Sequence, residues 1–331
     1  MEPVKVASIG LGWWGGTLAE KAKAAGLQIV SVFARDQERR EEFAATHGTR
    51  PASSLDDLLS DSMVEAVMIA TPHSTHADLI VEAASAGKHV FVDKPMTLTV
   101  AEAKRAIKGA EEAGVVLQVG HNRRRQPANR RLKGMVDAGE LGMVHYAEAN
   151  LSNPRGLNPR TGWRGDPTES PAGGMTGLGV HMADNLNYLL GPASKVAAFS
   201  KQVIHVSNLD DATVASLEFS TGPVAFIGTS MVIPDIGRTA LWGTEAAGWN
   251  EMDGERFYLQ RVGERERTEQ PVDVLDTVKD ELEEFAVNVR TGATPETGGQ
   301  EGLEAVAILE GIVESAATGR VVDLDEVRAR A

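Results

Sequence analysis

The chain has 331 residues, a formal net charge of −14 and no cysteine. Its length suits two domains, and its acidic surface argues against nucleic acid or anionic membranes as partners. The absence of cysteine excludes disulfides, cysteine-bound zinc, iron–sulfur clusters and a thiol nucleophile, and we predict no metal site.

The hydropathy of the chain gives no sign of a membrane or export signal. No run of about 18 apolar residues predicts a transmembrane helix. The N-terminal segment lacks the cationic region, apolar core and cleavage site of a signal peptide. We therefore expect a cytoplasmic protein.

The first 120 residues alternate between apolar runs and helical patterns. Strands are predicted at 4–9, 27–33, 64–70, 89–92 and 115–119, and helices at 17–25, 37–45, 75–86 and 100–113. Strand–helix alternation predicts a doubly wound parallel sheet. Ligands bind at the C-terminal strand ends of such sheets.

The segment Gly10-Leu-Gly-Trp-Trp-Gly15 separates the first strand from the first helix. In this G-x-G-x-x-G pattern, Gly10 permits a tight turn and Gly12 lets the backbone approach a pyrophosphate. Gly15 lets the helix pack on the strand, and the helix N-terminus attracts phosphates. An ordinary glycine turn is the alternative, but the placement between strand and helix favours a dinucleotide site that includes Trp13 and Trp14.

The end of the second strand bears on the choice of cofactor. An acidic residue there would bind the ribose 2′-hydroxyl of NAD, but this chain has the neutral Ala34 followed by Arg35. A guanidinium suits a 2′-phosphate, so the sequence favours NADP over NAD. In the alternative, Asp36 reaches back to the ribose and Arg35 is a solvated side chain.

A lysine follows the predicted strand at 89–92, within the segment Asp93-Lys94-Pro95. Lys94 at the mouth of a parallel sheet can hydrogen-bond a substrate oxygen and stabilise negative charge on it. A surface lysine is the alternative, and the position beside the glycine turn favours the functional role. The sequence leaves open whether the Lys94–Pro95 peptide is cis.

The order of the motifs resembles the Gfo/Idh/MocA oxidoreductases. Sugar and cyclitol dehydrogenases of that family carry Glu-Lys-Pro where this chain has Asp93-Lys94-Pro95. The resemblance covers nearly the whole chain and rests on Gly10–Gly15, Ala70-Thr71-Pro72-x-x-x-His76, Asp93–Pro95, Gly120–Arg124, His181–Asp184, Gly191 and Glu314–Arg320.

The resemblance implies a fold and a set of cofactor contacts. It implies an α/β protein with a Rossmann domain over 1–120 and an α/β domain over 121–331, the latter with a large, mostly antiparallel, open-faced sheet. The predicted cofactor contacts are Gly10, Gly12, Trp13, Trp14, Gly15, Ala34, Arg35, Ala70, Thr71, Pro72, His73, His76, Asp93, Lys94 and Asn122.

The pattern after residue 120 agrees with an antiparallel sheet. Strand candidates follow one another at 144–151, 196–206, 213–219, 224–232 and 238–242, and two helices are predicted at 274–290 and 300–318. An open sheet face needs cover, so we expect a homodimer or homotetramer that forms through this sheet.

The glycine-rich stretch 173–190 follows a proline-marked loop at 152–171. Gly177, His181 and Asp184 are spaced to share one face of a helix. An imidazole, with an ordinary pKa of about 6.5, suits proton transfer near neutral pH, so His181 is the predicted proton-transfer residue. A core histidine is the alternative, and Asp184 either orients His181 or bonds the backbone.

One position departs from the family pattern. Sugar dehydrogenases of the family commonly have aspartate four residues before this histidine, in a D-x-G-x-H pattern, whereas this chain has Gly177. The substitution puts a standard polyol substrate in doubt. It also leaves room for a bulkier or flatter ring beside this position. We therefore include Gly177 among the predicted substrate contacts.

A basic cluster follows the last strand of the first domain, at Arg123, Arg124, Arg125, Arg130 and Arg131. Either it is a solvated helix face with arginines fixed in interdomain salt bridges, or one arginine clamps an anionic group of the substrate. Arg123, together with Trp163 and Arg164 of the proline loop, completes the predicted substrate contacts. Trp163 either stacks on a sugar or anchors the loop.

The predicted reaction is reversible hydride transfer between a nicotinamide and a secondary alcohol carbon of a sugar, cyclitol or glycoside. Lys94 would hold the reacting oxygen, and His181 would take the hydroxyl proton. One alternative is a dehydrogenase of a cyclic or aromatic carboxylated substrate, of the dihydrodiol or semialdehyde type. Another is a dinucleotide-binding sensor without turnover.

Overall fold

The computed structural model describes residues 2–158 and 162–331. The chain forms two compact units. Unit 1 contains the chain up to residue 97 with residues 101–122 and 276–303, and unit 2 contains residues 98–100, 123–275 and 304–331. Segment 276–303, which lies beyond the predicted boundary at residue 120, is therefore part of unit 1.

Most helices differ from the sequence predictions at their ends, and the short helices Leu55–Leu59 and Leu324–Ala329 were not predicted. Within the described residues they are α1 (Trp13–Ala22), α2 (Gln37–His47), α3 (Leu55–Leu59), α4 (His76–Ser85), α5 (Val100–Ala113), α6 (Pro127–Asp137), α7 (Val180–Leu190), α8 (Thr277–Thr291), α9 (Gly299–Thr318) and α10 (Leu324–Ala329). None of these described helices combines the length and apolarity that a membrane crossing requires.

Unit 1 is built on a parallel sheet, as the strand–helix alternation predicts. Its described strands are β1 (Val4–Ile9), β2 (Leu27–Phe33), β3 (Arg50–Pro51), β4 (Ala66–Ile69), β5 (His89–Val92) and β6 (Leu117–Val119). They lie in the order β3-β2-β1-β4-β5-β6, and all neighbours are parallel. The order reverses beside β1, so the ends of β1, β2 and β4 meet where a doubly wound sheet binds its ligand.

Helix α8 returns the chain to unit 1 because its apolar face covers this sheet. Leu282 and Phe285 are fully buried in one cluster with Val4 and Leu27. The ring of Phe285 meets that of Phe91 edge-on, with 5.8 Å between centroids. Periodicity shows that a helix has an apolar face but not which sheet the face covers, so the predicted boundary left α8 in the second domain.

The C-terminal end of α8 is fixed by an ion pair between Arg290 and Glu65. Two guanidinium nitrogens donate to the Glu65 carboxylate at 2.5 and 3.1 Å, and Arg290 also donates to the Pro3 carbonyl at 2.9 Å. The backbone N–H of Lys5 donates to the same carboxylate at 2.8 Å. The pKa of Glu65 is lowered from 4.5, chiefly by the hydrogen bond from Arg290.

We expect Glu65→Gln to lower the free energy of unfolding by about 1–2 kcal/mol at pH 7, because two charge-assisted hydrogen bonds are lost. A carboxylate whose pKa is lowered by folding stabilises the fold above its unfolded value of 4.5, and this contribution is lost as the pH falls through the folded pKa. Urea unfolding at several pH values should therefore show a constant difference near neutrality that shrinks below pH 4.5. A difference that did not shrink as the pH fell below 4.5 would contradict the assignment.

Unit 2 contains a second, mostly antiparallel sheet. Its described strands are β7 (Val144–Ser152), β8 (Ala193–Lys201), β9 (Ala212–Phe219), β10 (Val224–Ser230), β11 (Ile236–Gly243), β12 (Ala246–Glu251), β13 (Arg256–Arg261), β14 (Thr268–Gln270) and β15 (Val322–Asp323). Their order is β14-β13-β12-β11-β7-β10-β9-β8-β15, and only the described pair β7 and β10 is parallel. The predicted α/β class with a parallel and a mostly antiparallel sheet is confirmed.

One face of the second sheet presents apolar and aromatic side chains. Register aligns Phe199 with Val214 and Tyr146 with both Val224 and Trp242. The pairing of β9 with β10 places Val214 and Val224 on one side, so all five residues share a face, which also carries the ion pair of Lys195 with Glu218. Phe199 is 69% exposed. We name the surface formed by Tyr146, Phe199, Val214, Val224 and Trp242 the open face. The Tyr146 hydroxyl donates to Glu148 at 2.6 Å, and burial with this bond raises the pKa of Tyr146 to about 12.

Candidate functional site

The glycine turn between β1 and α1 leaves no room for side chains at two positions. Gly10 has φ of +93°, and a Cβ there would lie 2.5 Å from the Ala70 carbonyl oxygen. A Cβ on Gly15 would lie 2.1 Å from the Gly10 carbonyl oxygen. Both glycines are therefore needed for the approach of β1, α1 and the end of β4, which matches the roles that the motif predicts for them.

Gly12 has a different environment, because a Cβ there would meet no atom within 4 Å. It precedes α1, whose first backbone N–H groups have no partner within the helix. Open space before such donors fits a pyrophosphate. Trp13 is 66% exposed at this end of the helix, whereas Trp14 packs against the core of unit 1.

At the end of β2, Asp36 caps helix α2. Its carboxylate accepts a hydrogen bond from the Arg39 backbone N–H at 2.9 Å. This bond favours a capping role for Asp36 over the alternative in which it reaches the ribose. Arg35 is exposed and Ala34 half-buried. The sequence analysis missed Arg40, whose guanidinium donates to the Ala34 carbonyl at 3.2 Å. The only signal for this contact in the sequence is that Arg40 lies in the early turns of the helix that follows the strand end.

The ends of β4 and β5 are joined through His76. Its ring is fully buried, and Nδ1 and Nε2 lie 3.0 and 3.1 Å from the carbonyl oxygens of Pro95 and Thr71. The Thr75 hydroxyl adds bonds to the Thr71 hydroxyl and to the Pro72 carbonyl, at 2.8 and 2.7 Å. These contacts fix the loops at two neighbouring strand ends, while the cofactor contact of His76 stays a prediction.

Unit 1 brings the remaining predicted cofactor contacts to the same edge of its sheet. Asp93 and Lys94 are half-buried beyond β5, and the Lys94–Pro95 peptide is cis. His73 is buried at the start of the segment that leads to α4. Beyond β6, Asn122 donates to the Thr277 hydroxyl at 2.9 Å, while its own side-chain oxygen is buried with no hydrogen-bond partner among the described residues. That oxygen can accept a hydrogen bond from a ligand.

In unit 2, the glycine-rich stretch is not a single α-helix as predicted. Residues Met175–Gly179 form a π-helix, and α7 begins only at Val180. Ala172 and Gly173 enter this helix with φ of 57° and 56°. Such π-turns are frequent at functional sites. Gly177 therefore lies in the π-turn, and the helical spacing assumed between Gly177 and His181 does not apply.

Packing leaves little space at three of the four glycines in this stretch, and only at Gly173 is the obstacle backbone. A Cβ on Gly173 would lie 1.9 Å from the Asp210 carbonyl oxygen, and one on Gly174 would lie 2.9 Å from the Met231 side chain. One on Gly179 would overlap the Met175 sulfur. By contrast, a Cβ on Gly177 would meet no atom within 4 Å. The space beside Gly177 supports its predicted place among the substrate contacts.

The first turns of α7 hold two buried predicted residues. His181 is 3% exposed and Asp184 is 1% exposed. The Asp184 carboxylate accepts two hydrogen bonds from Arg124, at 2.5 and 3.1 Å, and this guanidinium also lies over the Tyr188 ring. Asp184 thus serves as the counter-ion of Arg124, a role that sequence analysis did not weigh.

The basic cluster is largely engaged within unit 2. Arg123 donates to both carboxylate oxygens of Asp253, at 2.8 and 2.6 Å. Arg131 lies over the Phe257 ring and donates to the Pro271 carbonyl. These bonds favour the salt-bridge interpretation of Arg123 and Arg124 over a substrate clamp, although the paired carboxylates lie in the same unit rather than across domains.

The proline loop places two predicted substrate contacts together. The Arg164 guanidinium lies 4.2 Å from the centre of the Trp163 ring, and both side chains are half-buried. Pro159 of this loop lies outside the described residues. In the part of the chain that the structure describes, no three histidine, aspartate or glutamate side chains form a group that could hold a metal ion.

Both halves of the chain match known domain families. Residues 4–121 match an oxidoreductase family with an NAD-binding Rossmann fold. Residues 129–247 match the GFO/IDH/MocA C-terminal domain. The two matches follow the chain in the order that the motifs predict.

Characterised proteins of several substrate classes are similar to this chain. A scyllo-inositol 2-dehydrogenase (NAD(+)) of Bacillus subtilis is 31% identical over 74% of this chain and 72% of its own length. A 1,5-anhydro-D-fructose reductase of Ensifer adhaerens is 27% identical over 92% of this chain and 93% of its own.

Solved structures share the fold across the whole chain. A protein of Desulfitobacterium hafniense assigned as an NADPH-dependent oxidoreductase superposes with a TM-score of 0.93, at 31% identity over 99% of this chain and 100% of its own. A levoglucosan dehydrogenase in complex with NADH has a TM-score of 0.90 at 21% identity, over 97% and 99% of the two chains. The second likeness shows the fold alone.

Proposed function

Because the chain belongs to the Gfo/Idh/MocA family of oxidoreductases, we propose that it transfers hydride between NAD(P) and a secondary alcohol or ketone of a sugar, cyclitol or glycoside. The observation that carries the proposal is the glycine turn. Close backbone packing leaves no room for a side chain at Gly10 or Gly15, whereas Gly12 faces open space at the start of α1. This arrangement fits a dinucleotide, which supplies the hydride chemistry when it is bound.

The proposal assigns the catalytic roles to Lys94 and His181. Lys94, beyond β5, holds the reacting oxygen and stabilises the charge that develops on it. His181, at the start of α7, takes the hydroxyl proton during oxidation and returns it during reduction. The other side chains support these two: His76 holds the loop that carries Lys94, and the Arg124–Asp184 pair fixes α7 from its buried side.

The proposed substrate is neutral rather than carboxylated. A carboxylated ring would need an arginine to bind its anionic group. Arg123 and Arg124 are already paired with Asp253 and Asp184, which argues against such a clamp. Space beside Gly177 supports a ring larger than a simple polyol, such as a glycoside. We further propose a cytoplasmic enzyme, since its nicotinamide cofactors are held there, and a homo-oligomer in which the open face of one copy covers that of another.

The test is a substrate screen that follows the hydrogen itself. The protein is incubated with NAD⁺ or NADP⁺ and a panel of sugars, cyclitols and glycosides deuterated at single carbinol carbons. We expect reduced cofactor carrying deuterium at C4 for at least one compound, as mass spectrometry would detect. If both dinucleotides bind but no compound of the panel reduces either, the sensor without turnover becomes the better proposal.

A further inference from the structure

The segment that leads into the π-turn has an unfavourable backbone conformation. Ala172 and Gly173 have φ of 57° and 56°, in the left-handed region. Glycine adopts this region readily, whereas in alanine the Cβ comes too close to the following carbonyl oxygen. A residue other than glycine keeps such a conformation only where the surrounding structure fixes it, and residues of this kind cluster at functional sites. The contacts of Ala172 therefore identify what holds the π-turn.

Thr213 makes a contact that fixes Ala172. Its side chain is buried near the start of β9, and its hydroxyl donates to the Ala172 carbonyl oxygen at 3.0 Å. The same oxygen accepts the backbone N–H of Met175 at 3.1 Å, where the π-turn begins. A carbonyl oxygen has two lone pairs, so both are engaged. Thr213 thereby helps to set the direction of the carbonyl from which the π-turn starts.

The connection between β8 and β9 supports Thr213. The Ser200 hydroxyl lies 2.7 Å from the Thr213 hydroxyl oxygen and donates to the Asp210 carboxylate at 2.6 Å. A Cβ on Gly173 would overlap the Asp210 carbonyl oxygen, so this backbone lies directly against the entry of the π-turn. We name Ser200, Asp210 and Thr213 the hairpin clamp. It holds Ala172 by a hydrogen bond and Gly173 by close contact.

The π-turn in turn relates Gly177 to His181. The Val180 backbone N–H donates to the Met175 carbonyl, five residues back, which is the bond that defines π geometry. A regular α-helix would contain one residue fewer in this turn. Because each α-helical residue rotates the chain by about 100°, Gly177 would then rotate by that angle relative to His181. A ring bound beside Gly177 would lie away from the imidazole.

We propose that Thr213 is a positioning residue, whose hydroxyl holds the π-turn in the form that sets His181 against a substrate beside Gly177. Thr213 is buried and acts through the Ala172 carbonyl. The inference rests on the proposed function, since it takes His181 as the proton-transfer residue. All of these residues belong to unit 2.

The experiment compares Thr213→Val with Thr213→Ser. Valine keeps the shape of threonine but cannot donate, whereas serine keeps the donor. Thr221→Val is the matched control, because the Thr221 hydroxyl donates to the Leu190 carbonyl at 2.6 Å, at the opposite end of α7. Each variant is made in the wild-type and the His181→Ala background. Steady-state kinetics uses the substrate found in the deuterium screen, and circular dichroism gives the folded fraction.

We expect Thr213→Val to lower kcat/KM by about 10- to 100-fold, mainly through kcat, as a misplaced catalytic group does. Thr213→Ser and Thr221→Val should stay within about threefold of wild type, since each leaves the bond to Ala172 in place. Because Thr213 acts through His181, the two losses should not add. In the His181→Ala background, Thr213→Val should therefore cost less than about threefold.

A crystal structure of Thr213→Val gives a readout that needs no substrate. We expect the Val180 backbone N–H to bond to the Thr176 carbonyl, four residues back, in place of the Met175 carbonyl. Thr213→Ala supplies the result if the valine variant does not fold. An intact π-turn in a folded variant that lacks the hydroxyl would overturn the inference.

Three kinetic outcomes would also overturn the inference while the proposed function stands. Equal losses with valine and serine would show that the hydroxyl is not what matters. A full loss in the His181→Ala background would show that Thr213 does not act through His181. A loss that only follows the folded fraction would show a structural role. Absence of turnover by wild-type protein with every compound would instead overturn the proposed function, and the role of Thr213 in positioning His181 with it.

Discussion

Lys94→Ala is expected to lower kcat by about 10²- to 10³-fold, the usual loss when one donor that stabilises developing charge is removed. The side chain is half-buried beyond the end of β5, and the carbonyl oxygen of the next residue, Pro95, lies 3.0 Å from the His76 ring. Its amine is therefore presented by a fixed loop. Steady-state kinetics with the substrate found in the deuterium screen gives kcat and KM separately.

The matched control for this variant is Lys108→Ala. Lys108 is on the surface of α5, 74% exposed, and makes only a long ion pair of 3.7 Å with Glu112 among its described contacts. It should leave kcat and KM unchanged, since exposed pairs contribute little. If Lys94→Ala kept more than a third of wild-type kcat while folded, Lys94 would not be the residue that holds the reacting oxygen.

Gly15→Ala is expected to destabilise unit 1 by about 3 kcal/mol or more. The added Cβ would lie 2.1 Å from the Gly10 carbonyl oxygen, which is backbone and cannot rotate away as a side chain can. Overpacking of this kind forces the backbone apart. Urea unfolding, followed by circular dichroism, measures the loss, and the fraction of soluble protein on expression gives a second readout.

Gly16→Ala is the control for the glycine turn, because a Cβ at this next position of α1 would meet no atom within 4 Å. Alanine is a better helix former than glycine, so this variant should be as stable as wild type or more stable, by up to about 1 kcal/mol. Equal stability of the Gly15 and Gly16 variants would mean that the turn adopts a more open form than the structure shows.

The fold of unit 1 was largely predictable because five of its six described strands are short apolar runs separated by helical patterns, whereas β3 (Arg50–Pro51) is not such a run. The second sheet was predictable only in part. Strands β7 to β11 have apolar alternation, with ends that differ from the predicted ones by a few residues, whereas β14 (Thr268–Gln270) has no apolar residue at all. Such a strand is set by its pairing with β13, a long-range contact that local sequence does not encode.

The site shows the same division between local and tertiary information. The glycine turn follows from residue spacing, because steric limits on a tight turn are local. The π-turn at Met175–Gly179 does not, because Gly174 and Gly179 lie where added side chains would meet Met231 and Thr229, which come from elsewhere in unit 2. Likewise, the anchoring of Arg40 on Ala34 became visible only once the first turns of α2 were placed.

The two edges of the second sheet determine how copies of the chain can aggregate. The edge strands β14 and β15 have three and two residues, and carry Glu269 and Asp323. Short, charged edges offer few backbone groups to another strand, so edge-to-edge growth into fibrils is disfavoured. The association proposed above would use the open face instead, and pairing of two such faces would consume both. Association of this kind stops at a closed particle of defined size rather than continuing as a polymer.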